Sequence, residues 1–240
     1  MDMGGKIDKT FTEESSQNGK NPDTKLSGKW TYAVGLIIVF GVEFVLRDLL
    51  LPENANGISI DLALIGEWMA LSFLVFLWIP KVEKRNMASI GLGKFKRRHL
   101  AWGVLVYALV LVAASISSFV LQSVGLPSLR SLQPLIKGYG FATLFGLFLT
   151  GTFLEEVFYR GYLIERMKIL TRHRWVAAFV SWLLFTIVHL KFFGLGPTID
   201  TAVLSVALVL LYMKEKSIWP CIVVHGINDS LAFLIFPLLI

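Results

Sequence analysis

The side chains of this sequence with the most chemical capacity lie inside its apolar runs. Phe153-Leu154-Glu155-Glu156-Val157-Phe158-Tyr159-Arg160 sets two carboxylates and a guanidinium within one hydrophobic stretch. On a helix Glu156 and Arg160, four residues apart, share a face and can pair. Glu155 then points about 100° away. One acid is neutralised and the other is presented elsewhere. A carboxyl group held in apolar surroundings keeps its proton more tightly than in water, which suits general-base work near neutral pH. A charge at the centre of a bilayer costs about 2.5–3.5 kcal/mol on insertion scales, so such residues mark functional sites. The bland reading is a salt bridge with a second acid at an interface.

Two further constellations follow. Phe185-Thr186-Ile187-Val188-His189 carries one histidine within a span, which taken alone reads as a packing residue as readily as a catalyst. His225-Gly226-Ile227-Asn228-Asp229 places Asn228 and Asp229 at i+3 and i+4 of His225, on one helical face. A histidine with a carboxamide and a carboxyl in hydrocarbon is expensive without water or partners; its bland reading is a polar helix-packing cluster. The other two of the four histidines, His99 and His173, sit beside basic loops.

The elements that must position these groups are membrane spans. Of 240 residues, 55% are hydrophobic and 17% charged, and the mean hydropathy is +0.66. The charges are clustered and leave apolar runs of about 20 residues, the length that crosses roughly 30 Å of hydrocarbon. The fold class is all-α, a polytopic transmembrane bundle. Seven spans are expected: Trp30 to Leu51, Ile58 to Ile79 stopped by Pro80, Leu100 to Val124, Tyr139 to Leu163, Trp175 to Phe193, a short one from Thr198 to Met213, and Ile218 to Leu239. Residues 1–29 read as a disordered cytoplasmic tail, 30–138 as an N-terminal region of three spans, and 139–240 as a four-span core. The first apolar run is too long for a signal-peptide core and is expected to be retained as a span.

Lys and Arg fill the tail, the loop after span two (81–99), the loop after span four and the loop after span six; the opposite loops hold few. The positive-inside rule then puts the N-terminus in the cytoplasm and the C-terminus outside. The same distribution accounts for the net charge of +6 through anionic lipid rather than nucleic acid. Loop 81–99 reads equally as a short interfacial helix, with Met87, Ile90, Leu92 and Phe95 among its basic residues, or as an ordinary loop. Cys221 is the only cysteine, which excludes an intrachain disulfide or a cysteine metal cluster. Glu43 and Arg47 are expected to pair, Glu67 has no obvious partner, and Asp200 is expected to be solvated near an interface.

Glu-Glu-x-x-x-Arg, then Phe-x-x-x-His, then His-x-x-x-Asx, each in its own span and in that order, resembles the CPBP family, also called Abi, of CAAX-processing type II and bacteriocin-processing proteases. The resemblance covers roughly residues 139–235. It implies an intramembrane glutamate protease that hydrolyses a peptide bond in a peptide or protein substrate. Glu155 would activate a water with His189 as its partner, Glu156 and Arg160 would orient the site, and His225 with Asp229 would stabilise the oxyanion. The family's better-known form has Asn at the last position. Either Asp229 carries a proton, or Asn228 makes the contact, or the role rests on His225. The resemblance implies a metal-free site; were zinc used, Glu155, His189 and His225 would be its ligands, although they lack His-Glu-x-x-His spacing. The expected partners are the substrate and the lipid bilayer, and the oligomeric state is not legible. The alternative is a non-catalytic immunity or regulatory scaffold that binds a partner protein; a proton-coupled carrier would predict broken helices or paired halves, and neither is visible. One discord remains. Glu155 lies about 12 Å from Leu163 and His225 about 10 Å from Ile218, whereas His189 lies about 21 Å from Trp175. Tilt, a later start of span five, or a fourth span running beyond Leu163 would close the gap.

Overall fold

The computed structural model describes residues 27–50, 57–127 and 138–236. Every regular element among them is helical. α1 is Ser27–Leu50. α2, Gly57–Phe73, continues through a π-helical stretch, Leu74–Val82. α3 is Arg97–Ser123. α4, Phe141–Leu149, runs through a π-helical stretch, Thr150–Leu163, into α5, Ile164–Thr171. α6 is Arg174–Phe193 and α7 is Leu195–Glu215. α8, Trp219–Asp229, ends in a π-helical stretch, Ser230–Ile235.

Four of these rods are long and apolar enough to cross a membrane: Ile58–Val82, Arg97–Ser123, Phe141–Thr171 and Leu195–Glu215. Shorter apolar helices, Gly28–Gly41, Arg174–Leu190 and Trp219–Ile235, stand at the other expected spans. Large apolar side chains are exposed along α3, among them Leu109, Val112, Ile116 and Phe119, as a lipid-facing helix requires. The opposite limit is the π stretch of the fourth rod, where residues Leu154 to Leu163 are all buried. The fourth rod is therefore the axis around which the others pack, and it carries the first constellation.

The boundaries differ from expectation where proline is concerned. Pro80 does not stop the second rod, which continues to Val82 in π-helical form; a proline ring clashes with the carbonyl four residues back in an α-helix, and the wider turn relieves that crowding. Pro197 stands in the first turn of α7, where a missing N–H costs nothing. The sixth span is thus 21 residues long rather than short, and only Gly194, at φ 74°, breaks the chain between α6 and α7. The fourth rod overruns Leu163 and ends at Thr171, where Arg172 takes a left-handed conformation.

Loop 83–96 is docked against the bundle and holds one 3₁₀ turn, Met87–Ile90, in place of an interfacial helix. Glu83 accepts hydrogen bonds from Tyr162 Oη at 2.7 Å and from Arg166 Nε at 2.8 Å. Arg166 also donates to the Ser89 carbonyl and to Ser89 Oγ. Ile90 is wholly buried, and the carbonyl of Gly91 accepts from the Ile218 amide at 3.1 Å. Buried ions are tolerated only when paired and hydrogen-bonded. Asp200 is likewise buried, not solvated, and accepts from Ser117 Oγ at 2.6 Å. Glu67 is buried in the bundle. The polar tail lies almost wholly outside the described residues, as do the side chains of Glu43 and Arg47.

Candidate active site

The π stretch carries Glu155, Glu156 and Arg160, all buried. Helices of π form are rare and cluster at functional sites. Glu156 Oε1 lies 3.1 Å from Arg160 Nη1, the ion pair expected from their spacing. It also accepts from His225 Nδ1 at 2.8 Å, so the first and third constellations are joined directly. Arg160 Nη2 donates to Ser205 Oγ of α7 at 3.0 Å, and its guanidinium lies 4.1 Å above the ring of Phe185. A fully buried arginine is thereby held by a carboxylate, a hydroxyl and an aromatic face.

Phe185 brings in the second constellation. Its ring centre is 4.4 Å from that of His189 and 6.1 Å from that of His225. Tyr159 packs edge-on against it at 5.1 Å. His189 Nδ1 donates to the Phe185 carbonyl at 2.6 Å, which in a neutral ring leaves Nε2 as the acceptor nitrogen. His225, its Nδ1 taken by Glu156, turns Nε2 towards Asp229 Oδ2 at 3.6 Å. Asn228 is half-buried, and its Nδ2 donates to Asp229 Oδ1 at 3.1 Å. Asn228 therefore steadies Asp229, and Asp229 is the residue that lies against His225. Glu155 is buried in the same π stretch, one residue before Glu156.

Two features were missed in the sequence. Ser205 anchors Arg160 from a helix that carries no motif; a lone serine in an apolar span offers no pattern. The second is a glycine seam. A Cβ at Gly151 would fall within 3.0 Å of Asp229 Oδ2, and one at Gly226 would lie 3.1 Å from Thr152 Cγ2. The π stretch and α8 approach closely because both residues lack side chains, as small residues permit between membrane helices. Thr152 Oγ1 and Glu156 Oε2 are buried at this seam with no hydrogen-bond partner among the described residues.

Among the described residues no three of His, Cys, Asp and Glu are arranged to hold a metal ion.

The arrangement is that of a multi-pass helical membrane protein with a buried carboxylate and imidazole site, drawn from three helices and braced by a fourth. Residues 137–231, the segment that carries all three motifs, match the Rce1-like family, described as type II CAAX prenyl endopeptidase Rce1-like. That agrees with the CPBP resemblance of the motifs. No curated protein and no solved structure matches the chain.

Proposed function

We propose that this protein is an intramembrane endopeptidase that hydrolyses a peptide bond with a water activated by Glu155 and His189. The observation that carries the proposal is the convergence of three separated motifs on Phe185 and Glu156. Arg160, His189 and His225 all pack against the Phe185 ring, and His225 is bonded to Glu156. A scaffold has no use for so costly a set of buried polar groups.

In the proposed step the water oxygen attacks the scissile carbonyl carbon while Glu155 takes its proton. His189, its Nδ1–H committed to a backbone carbonyl, orients that water through Nε2. The oxyanion forms beside His225 and Asp229, the latter a donor only in its protonated form; stabilisation of this kind is worth about 2.7–4 kcal/mol per donor in well-studied sites. The proton held by Glu155 passes to the leaving amine as the C–N bond breaks. Glu156 and Arg160 touch no reacting atom and hold His225 in place. A CAAX-type or other membrane-proximal peptide segment is the substrate class that the family match suggests.

The test is mass spectrometry of membrane and secreted peptides from cells with the wild type, a deletion, or Glu155→Gln at equal expression. A product lost in both the deletion and the point variant supports the proposal and names the substrate. A point variant that matches wild type while the deletion does not removes Glu155 from the chemistry and favours a partner-binding scaffold.

A further inference from the structure

An apolar groove lies away from the motif residues, between α3 and α7. It has a volume of about 420 Å³ and is lined by Trp102, Val106 and Ala113 on one side and by Val203, Ala207 and Lys214 on the other. The two helices run antiparallel here. Arg98 pairs with Glu215 at one end and Ser117 with Asp200 at the other. The first end is the basic one, with Arg97, Arg98, Lys214 and Lys216 close in sequence to it.

From Trp102 to Ala113 the groove runs about 16 Å along α3, close to half of the roughly 30 Å hydrocarbon thickness. It is thus one leaflet long. A transmembrane helix of a partner would need both leaflets and a trough about 10 Å wide. Its rim residues Leu109, Val206 and Leu210 are exposed on the outer surface of the bundle. Lys214 closes the basic end. Its ammonium sits 3.3 Å from the centre of the Trp102 ring and has no carboxylate partner among the described residues, whereas the adjacent Glu215 is already paired with Arg98. A cation held by an aromatic face at the headgroup level, above an apolar trough of one-leaflet length, is complementary to one ligand class.

We propose that the groove between α3 and α7 binds one anionic phospholipid of the leaflet at the basic end, with an acyl chain along the trough and the phosphate on Lys214.

The probe is an equimolar mixture of phosphatidylglycerol and phosphatidylcholine with identical chains, read by native mass spectrometry of the full chain released from mixed micelles. The wild type is expected to retain one phosphatidylglycerol in preference. Lys214→Gln, at an exposed position that leaves the fold intact, is expected to lower that preference about fivefold, the share of one basic residue near an anionic surface. Val206→Trp, which fills the trough from its exposed rim, is expected to lose the retained lipid of either headgroup. Lys94→Gln, in the loop, is expected to change nothing. A wild type without headgroup preference overturns the proposal. So does an unchanged Lys214→Gln variant, an equal loss in Lys94→Gln, or a dimer of this chain that Val206→Trp dissociates.

Discussion

Gly151→Ala separates the geometry of the site from the stability of the fold. A Cβ at position 151 would lie within 3.0 Å of Asp229 Oδ2, 3.4 Å from its Cγ and 3.8 Å from His225 Nε2. The carboxyl cannot rotate freely, because Oδ1 is bonded to Asn228 and Oδ2 faces His225. It must retreat by roughly 1 Å, a displacement that costs about 10²-fold in rate when it falls within a reacting constellation. Alanine is, by contrast, the better helix residue by about 0.5–1 kcal/mol. The cleavage rate of Gly151→Ala is therefore expected to fall about 100-fold while the midpoint of thermal unfolding in detergent holds or rises. The assay is release of the peptide product identified in the cell, followed on purified protein. Gly146→Ala is the control. Its Cβ meets only Leu64 Cδ1, at 2.9 Å, the end of a flexible side chain, and full activity is expected. A Gly151→Ala enzyme as active as wild type would refute the claim that Asp229 must sit against His225 for reaction.

Arg166→Met and Glu83→Gln each break a buried pair and are expected to cost about 3–5 kcal/mol singly; in denaturant titrations the double variant should recover part of that loss, and strictly additive losses would mean the pair is not coupled. Gly161→Ala would press a Cβ to 2.7 Å from the Ile90 carbonyl, so the docked loop should loosen and limited trypsin should cut faster at Lys84 and Arg85. Asp229→Asn keeps the shape and supplies an N–H donor, so activity within about tenfold of wild type is expected if the residue serves the oxyanion; Asp229→Leu should then lose about 10²–10³-fold. A stable but inactive Asp229→Asn variant would instead assign a carboxylate role.

The seven apolar segments and the three motifs were legible because both signals are local. A run of about 20 apolar residues and a polar group at i, i+3 or i+4 need no knowledge of packing. The Glu156–Arg160 pair was predicted on that ground, and the pair is present. What was not legible depends on the third dimension. Asp200 reads as an interfacial acid until Ser117, 83 residues away, is seen to bond it. Ser205 reads as an ordinary small residue until the Arg160 guanidinium reaches it. Which of Asn228 and Asp229 lies against His225 depends on which side chain faces the bundle, and adjacent positions on a helix leave that open. The basic loop kept Met87, Ile90 and Leu92 for the bundle because Glu83 and Arg166, both ordinary in sequence, pair across it.

The depth discord between the motifs shows how one misjudged boundary propagates. Measured from Leu163, Glu155 is far shallower than His189. The fourth rod, however, runs to Thr171, where the chain turns directly into α6 at Arg174. From that common end Glu155 is 16 residues in, about 24 Å, and His189 is 15 residues in from Arg174, about 22 Å. α8 begins deeper than its neighbours. Ile218 packs at Gly161, ten residues or about 15 Å below Thr171, and His225 lies seven residues or about 10 Å beyond Ile218. The sum, about 25 Å, brings all three motifs to nearly one level. The agreement depends on α8 starting within the bundle, and that start is fixed by the docked loop, through Gly91 bonding the Ile218 amide and Gly93 accepting from Trp219 Nε1. The loop's buried Glu83–Arg166 pair therefore sets the height of His225. Loosening the loop should slow the reaction through misalignment even though no loop residue touches the site.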